Sequence, residues 1–546
     1  MINGKLSLAR TQNTILSAAF VLSITTGFNA VLGFAKNRLL AHFFGVSNQL
    51  AIFYTADRIP NLIYSILVIG VVSTVFIPTF TSLKKQNKEV AHRTATSMII
   101  SVLIAFIAMG ILIFIFAPQI LSLLAVGNFT ADEIYLGVNI MRIMILAQVL
   151  LVGGSLATSV LQSYKYFIVP ALAPVFYNLG MMFGTFFFSS EFGIYGPTFG
   201  VLIGALLHVG IQIPLLLRSE FKFHVFQPFK DTHMLETLKL VPSRIAQVTL
   251  AGLVQTINNS LALLISASSV VYLKFANQLQ FFPVGIFGMS IASAALPTLS
   301  TQSDPENIDK FKRSLYTSLH QMLFLVMPIS MILFVLRVPS VRIVYGVSNF
   351  PWEATIKTSY VLGFFSVSIF AQSANYILTR AFFALKNTKI PVNISIISSL
   401  FNVSTAFTLV HILGFGVWSV ALVYSVSAIL ETVFLVYFLS PKVNGINPKK
   451  IIIPFVKISY ATVMMGATIY GGLKLLDITV LDTTKTLNML ILTALTTLAG
   501  CVTYLFFTYM LKVEEIQLFY ELVKRLNLSR FIKNNQLSAV NQNQID

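Results

Sequence analysis

Charged side chains are scarce in the long apolar stretches of this 546-residue chain, so each one found there is a candidate for chemistry. A charge near the centre of a bilayer costs several kcal/mol. Four cations stand out: Lys36 and Arg38 in "GFAKNRLLAHFFG", Arg58 in "ADRIPNL" and Lys274 in "YLKFANQ". Together in a low-dielectric cavity they would bind an anion, phosphate above all. The competing interpretation is snorkelling, in which long side chains at helix ends reach the headgroups.

Three further charges lie in or beside apolar segments. Asp57 precedes Arg58 directly and could simply neutralise it. Arg142, in "VNIMRIMILAQ", and Glu431, in "SAILETVF", lie deeper and are harder to explain by snorkelling. For Glu431 two interpretations stay open: a proton or cation site that couples transport, and a hydrogen-bonded packing residue.

Motifs for catalysis are not found. The sequence has no nucleophile–base pair, no Gly-rich phosphate loop with Lys and Ser/Thr, and no zinc spacing. We therefore predict no enzyme, no catalytic residues, no metal site, no ATP site and no cofactor, with coupling to the membrane potential or a cation gradient left open. The formal net charge of +18 fits positive cytoplasmic loops better than nucleic acid, because no basic patch is interleaved with aromatic residues.

The composition sets the fold class, an all-α polytopic membrane protein. Hydrophobic residues make up 56% and charged residues 10% of the chain, against about 25% charged in soluble domains. A transmembrane helix needs about 20 apolar residues. Fourteen such segments have cores at 14–35, 62–80, 95–117, 136–160, 167–189, 194–217, 244–268, 282–299, 316–336, 358–379, 391–412, 415–439, 451–473 and 487–511.

Lysine and arginine placement predicts the orientation. If the N-terminus is cytoplasmic, 25 of the 37 Lys and Arg residues lie in cytoplasmic loops and terminal segments. This bias agrees with the positive-inside rule. Both termini are then cytoplasmic. Residues 512–536 have apolar side chains at helical spacing and fit either an amphipathic helix on the inner membrane surface or a solvated helical tail. Residues 537–546 are predicted to be disordered.

An internal repeat organises the first twelve helices. Residues 56–59 match 276–279 at an offset of 220, which places Gln278 opposite Arg58, and Pro170 matches Pro391 at 221. Two copies of six helices point the same way, so two parallel lobes with a substrate site between them are expected. The predicted units are two six-helix lobes, two extra helices and a cytoplasmic tail, at 1–218, 219–440, 441–512 and 513–546.

The sequence resembles the MviN/MurJ family of lipid II flippases, within the superfamily of multidrug, oligosaccharidyl-lipid and polysaccharide exporters. Four stretches carry the resemblance, in the family's order. They are "VLGFAKNRLLAHFFG" with "RIPNL...GVVSTVFIPTF", "LQSYKYFIVPALAPVFYNLG", "FFPVGIFGMSIASAALPTLS" and "RAFFALKNTKIPVNI".

This resemblance implies a V-shaped central cavity between the two lobes, and two C-terminal helices that form a groove for a lipid tail. The implied activity is movement of a polyprenyl-pyrophosphate-linked peptidoglycan precursor from the inner to the outer leaflet of the bacterial inner membrane by alternating access. The implied partners are the lipid-linked glycan, membrane lipids and cell-wall synthesis proteins.

The chain departs from the family at the arginines thought to hold the diphosphate. After "GFA" stands Lys36, which is cationic but lacks the bidentate fork of arginine. Other family arginines are replaced here by Ala30, by Tyr64 or Ser65, and by Gln278. Arg58 matches a basic family position. The family's sodium site has no matching acids here.

Two alternatives to lipid II flipping remain. The substrate could be another lipid-linked oligosaccharide, or a cationic drug, which a cationic cavity disfavours. The chain could also be a non-transporting scaffold of an envelope-assembly complex, an interpretation that the lost arginines favour.

Overall fold

The computed structural model describes residues 15–68, 76–224, 241–479 and 486–516. Within these residues the regular structure is entirely helical, which confirms the predicted class. Of the helices described, eleven are long and apolar enough to cross a membrane, or twelve if two helices bent by 43° near residue 367 form one span. The predicted tail beyond Ile516 lies outside the described residues.

The structure describes nine helices in the first half of the chain, within residues 15–68 and 76–224. Their ends carry recognisable caps: Asn87 accepts hydrogen bonds from the backbone N–H groups of Glu89 and Val90, and Thr130 and Glu133 form a capping box. The helices are α1 Ile15–Phe44, α2 Asn48–Ala56, α3 Arg58–Leu67, α4 Ile77–Gln86, α5 Lys88–Ala125, α6 Ala131–Ser163, α7 Ile168–Phe192, α8 Tyr195–Gly210 and α9 Ile213–Arg218.

The described residues after 240 contain eleven further helices. Two π-helical turns, Val284–Met289 and Thr408–Ile412, interrupt the regular pattern. The helices are α10 Val241–Ile265, α11 Ala267–Pro283, α12 Ser290–Thr301, α13 Ile308–Val335, α14 Arg337–Tyr345, α15 Trp352–Ser366, α16 Ile369–Ala384, α17 Lys389–Phe407, α18 Trp418–Leu439, α19 Pro448–Thr479 and α20 Thr486–Met510.

The same helix pairings occur twice. In the first half α1 packs on α7, α7 on α8, α6 on α8 and α5 on α6; in the second, α10 packs on α17, α17 on α18, α16 on α18 and α13 on α16. Side chains repeat the pattern. Asn178 of α7 donates a hydrogen bond to Asn29 of α1 at 2.8 Å, and Asn258 of α10 donates one to Asn402 of α17 at 3.1 Å.

Glycines allow α7 and α8 to approach unusually closely. A Cβ atom added to Gly184 would collide with the backbone of Gly200, and one added to Gly180 would collide with Gly204. Small residues at four-residue spacing are a common basis for close packing of membrane helices. The backbones of α7 and α8 are therefore in direct contact along these glycines.

The turns between helices define two ends of the molecule. We call the end with the turns near residues 87, 165, 220, 304, 386 and 444 the Lys-rich end, and the end with the turns near 46, 128, 266, 348 and 415 the Lys-poor end. The first and second halves meet through α1 with α14, α2 with α11, and α3 with α10.

The two last helices pack on each other and on α13. At the Lys-rich end, His320 of α13 contacts the Glu515 carboxylate at 3.5 Å through Nδ1 and donates from Nε2 to the carbonyl oxygen of Lys450 at 2.8 Å. Tyr504 of α20 donates to the carbonyl oxygen of Phe324 at 2.8 Å. These bonds attach α19 and α20 to the second half.

Candidate functional site

Three of the four predicted cations come together. Lys36 of α1, Arg58 of α3 and Lys274 of α11 each interact electrostatically with Asp57, and Lys274 also interacts with the other two cations. We call Lys36, Arg58, Lys274 and Asp57 the cationic cluster. With three positive charges and one negative charge, it carries a net charge of +2 and is complementary to an anion.

The cluster lies at one depth within the helices. Lys36 precedes the end of α1 by eight residues, Asp57 follows the start of α2 by nine, and Lys274 follows the start of α11 by seven. At 1.5 Å per residue, these positions are roughly 10–14 Å inside the Lys-poor end. Snorkelling cations would stand at the helix ends instead.

The chain breaks its helix at the cluster. α2 ends at Ala56, Asp57 forms a turn, and α3 begins at Arg58 with Pro60 in its first turn. Proline has no N–H to donate, so it is tolerated in this first turn. The matching stretch in α11 runs unbroken through Gln278, and the irregular turn there comes later, at Val284–Met289.

Arg58 is held by the second half of the chain. Its Nη2 donates to Oδ1 of Asn259 at 3.0 Å, and Nδ2 of Asn259 donates to Oγ1 of Thr55 at 3.2 Å. Asn259 is only 1% exposed. The Nε of Arg58 is buried and has no hydrogen-bond partner among the described residues. An unpaired buried donor of this kind favours a ligand with oxygen acceptors.

The two lysines carry no ion pair of their own. Within the part of the chain that the structure describes, neither Lys36 nor Lys274 has a carboxylate oxygen within 4 Å. The ammonium of Lys274 lies 5.4 Å from the centre of the Tyr54 ring, a cation–π distance. Both side chains are half-buried, so their charges are available to an anion.

Gln278 borders the cluster without carrying charge. Its Oε1 accepts a hydrogen bond from Nδ2 of the buried Asn37, which follows Lys36. A Cβ atom at Gly33 would lie 3.3 Å from Nε2 of Gln278. Gln278 therefore joins α11 to α1 beside the cations.

Arg38 lies apart from the cluster. Its guanidinium donates to the carbonyl oxygens of Ile343, Val344 and Gly346 at 2.6, 3.1 and 3.3 Å. Ile343 and Val344 provide two of the last carbonyls of α14, which have no partner inside their own helix, and Gly346 directly follows its last residue. Arg38 thus binds the backbone of the second half.

Arg142 and Glu431 also lie elsewhere. Arg142 stacks over the Phe114 ring at 4.8 Å and donates to the carbonyl oxygen of the same residue at 3.3 Å, on the outward side of α5 and α6. Glu431 accepts a hydrogen bond from Asn375 at 3.3 Å and another from Ser395, among α16, α17 and α18. Neither contacts the cationic cluster.

Sequence reasoning missed two residues of the site. Asn259 carried only the general signal of an amide in an apolar helix, which predicts a hydrogen bond between helices. Nothing in the sequence singled out Tyr54, because aromatic residues make up 12% of the chain and one more of them is not distinctive. Among the described residues no group of three or more His, Cys, Asp or Glu could hold a metal ion.

A many-spanning helical fold in which the same helix pairings occur twice is one standard plan of polytopic membrane transporters. A sequence profile described as lipid II flippase MurJ matches residues 40–486. The chain therefore belongs to the lipid II flippase MurJ family, as the resemblance predicted. This is a family of membrane flippases and not of enzymes.

Relatives of the family are similar over most of their length. The probable lipid II flippase MurJ of Buchnera aphidicola subsp. Baizongia pistaciae is 29% identical over 394 residues, covering 70% of this chain and 75% of the relative. That of Borreliella burgdorferi is 26% identical and covers 82% and 87%. That of Thermotoga maritima is 26% identical and covers 92% and 98%.

Solved structures share the fold. A lipid II flippase MurJ in an inward closed conformation superposes with a TM-score of 0.76 and 25% identity, over 91% of this chain and 100% of that chain. An inward-facing multidrug resistance MATE family transporter of the MOP superfamily gives a TM-score of 0.66 at 13% identity, over 78% and 98%. The second likeness concerns the fold alone.

Proposed function

We propose that the chain moves a polyprenyl-pyrophosphate-linked cell-wall precursor, lipid II, from the inner to the outer leaflet of the bacterial inner membrane. One observation carries this proposal: Lys36, Arg58 and Lys274 all interact electrostatically with the Asp57 carboxylate and lie at a common depth. A diphosphate is a strong match for such a group, because charge-assisted hydrogen bonds to phosphate oxygens are short and strong.

The proposed architecture has fourteen spans. The twelve apolar spans, with the bent pair counted as one, become fourteen when α1 and the segment from α2 to α4 are each counted as one more. Residues 1–218 and 219–440 form two parallel six-helix lobes around a V-shaped cavity, and 441–512 forms a groove for the lipid tail. The repeated helix pairings support the two lobes.

The proposed orientation places the Lys-rich end and both termini in the cytoplasm. The two halves are hydrogen-bonded near the Lys-poor end, for example between Asn128 and the carbonyl oxygen of Leu263 at 2.9 Å. A conformation closed on this side would load its substrate from the cytoplasmic leaflet. Alternating access would then rock one lobe against the other.

Coupling and partners complete the proposal. Glu431 with Asn375 and Ser395 would provide a coupling site for a proton or another cation inside the second lobe. The lipid-linked glycan and membrane lipids are direct partners, and cell-wall synthesis proteins would supply and consume the substrate. No nucleic acid and no bound cofactor are involved.

A second candidate is export of another lipid-linked oligosaccharide. Its support is that two of the three cations are lysines, which bind phosphate as point charges rather than through a bidentate fork. Specificity in such a site would come from the glycan more than from the diphosphate.

Native mass spectrometry of the purified protein tests the proposal. Lipid II is offered beside a neutral glycolipid and a polyprenyl-linked oligosaccharide, and Lys36→Met and Arg58→Met are compared with Lys442→Met, an exposed lysine at the Lys-rich end. Selective lipid II binding that falls at least tenfold in the first two variants supports the flippase. Preference for the oligosaccharide moves the substrate to the second candidate, and no selective binding favours a scaffold.

A further inference from the structure

Arg38 joins the two halves of the chain through backbone oxygens alone. Its Nη1 donates to Ile343 and Val344 and its Nη2 to Gly346, more than 300 residues away. A cation at the C-terminus of a helix is favoured by the free carbonyls and by the helix dipole. Arg38 therefore caps α14 from the opposite half of the molecule.

Further hydrogen bonds surround this contact. Nδ2 of Asn349 donates to the carbonyl oxygen of His42 at 2.6 Å, and Oγ of Ser268 donates to that of Val46 at 2.8 Å. Gly45 has a φ of +56°, and a Cβ atom there would collide with the carbonyl oxygen of Asn349. We call Arg38, Asn349 and Ser268, with the backbone oxygens they bind, the seal.

The chemistry of the seal makes it reversible. Across the described residues, Arg38 has no carboxylate within 4 Å, so no buried ion pair must be broken when the halves separate. The guanidinium would regain water, and so would the carbonyls it leaves. A charged donor shared among three carbonyls still gives the strongest contact of the seal, since charge-assisted hydrogen bonds are about twice as strong as neutral ones.

We propose that Arg38 is a gating residue, which stabilises the conformation closed at the Lys-poor end and does not bind the substrate. This inference rests on the proposed alternating-access function. Arg38 donates its hydrogen bonds to the C-terminal end of α14, so it is a positioning residue that holds the two lobes together. The cationic cluster, in contrast, would contact the diphosphate.

A distance measurement tests this role without any substrate. Cys501, the single cysteine, is replaced by serine, and spin labels are attached at Q49C and E353C, two exposed positions near the Lys-poor end on opposite halves. Pulsed electron resonance on the full chain in nanodiscs then gives the distribution of distances between the halves. Arg38→Met keeps the apolar stem of the side chain but removes all its donors.

The matched control is Arg342→Met. Arg342 is an arginine of α14 that donates to the carbonyl oxygen of Phe350 at 3.3 Å within its own half. We expect Arg38→Met to raise the ratio of long to short distances at least about tenfold, because it removes all three hydrogen bonds of a charged donor. Arg342→Met should leave the ratio unchanged. Arg38→Lys should give an intermediate ratio, because the charge remains and the fork is lost.

Three outcomes overturn the inference. The first is an Arg38→Met distribution equal to that of the parent, and the second is an equal shift in Arg342→Met. The third is loss of lipid II binding in Arg38→Met with unchanged distances, which would make Arg38 a substrate ligand. If Arg38→Met does not fold, Arg38→Lys decides alone. Failure of lipid II binding in the parent protein would reject the proposed function but leave the distance result intact.

Discussion

Nη2 of Arg58 lies 3.0 Å from Oδ1 of Asn259, so a cation of the first half is oriented by an amide of the second. Arg58 also interacts electrostatically with Lys274, and its Nε has no partner among the described residues. Movement of the two halves would change the orientation of the guanidinium. If the cluster binds an anion as proposed, its affinity would then depend on the conformation of the protein.

The first prediction concerns the type of cation at position 36. Lys36→Arg should bind lipid II more tightly than the parent, because a guanidinium can hold two phosphate oxygens at once. Lys36→Met should bind it at least tenfold more weakly, as expected for loss of a charged hydrogen bond. Titration of lipid II into protein in detergent checks both. Equal affinities of the Arg and Met variants would contradict a role for Lys36 in binding.

The second prediction concerns the amide that orients Arg58. Asn259→Ala should weaken lipid II binding less than Arg58→Met, because the charge stays in place and only its orientation is lost. Arg58→Lys should fall between the two. The same binding titration ranks the three variants. If Asn259→Ala is as harmful as Arg58→Met, the amide itself contacts the substrate.

The third prediction concerns the close packing of α7 on α8. Gly184→Leu should lower the free energy of unfolding by about 1–3 kcal/mol or more, because its side chain collides with the backbone of Gly200. Gly153→Leu in α6 is the control, since a Cβ atom there meets nothing within 4 Å. Thermal unfolding of both variants in one detergent gives the comparison. Equal melting temperatures would show that α7 and α8 separate easily.

The fourth prediction uses the asparagine pair of α10 and α17. Asn402→Leu leaves Asn258 without its partner and should cost about 0.6–2 kcal/mol. The double variant with Asn258→Leu should recover part of this loss, because no unpaired amide remains. A double-mutant cycle on unfolding free energies measures the coupling. Additive losses would mean that the two side chains do not interact.

The fifth prediction concerns acid stability at the Lys-rich end. Burial alone would raise the pKa of Glu515, but the hydrogen bond from His320 lowers it below its ordinary value. Its contribution to stability is then present above pH of about 4.3, the ordinary pKa of Glu, and is lost as pH falls through the lower folded value. Glu515→Gln should reduce the loss of melting temperature below pH of about 4.3. An unchanged pH profile would contradict the pair.

Sequence and structure agree best where long apolar runs decide the outcome. The helical membrane class and the family rest on side-chain types and motifs that a sequence displays. That Lys36, Arg58 and Lys274 bind one anion together stays a prediction.

The hydrogen-bond partners of Arg38 could not be predicted from the sequence. They are carbonyl oxygens of Ile343, Val344 and Gly346, which every residue type possesses, so no pattern of residues marks them. Arg142 likewise binds the carbonyl oxygen and ring of Phe114. A cation in an apolar helix is visible in a sequence, but the backbone that satisfies it becomes visible only when the chain is folded.

Translocation of lipid II by protein reconstituted in liposomes tests the central claim most directly. The parent protein is compared with a variant in which Lys36, Arg58 and Lys274 are all methionine, and with Lys442→Met as the control. We expect the parent and Lys442→Met to expose lipid II on the opposite leaflet, and the triple variant to stay at the level of protein-free liposomes. Full translocation by the triple variant would show that the cationic cluster does not carry the substrate.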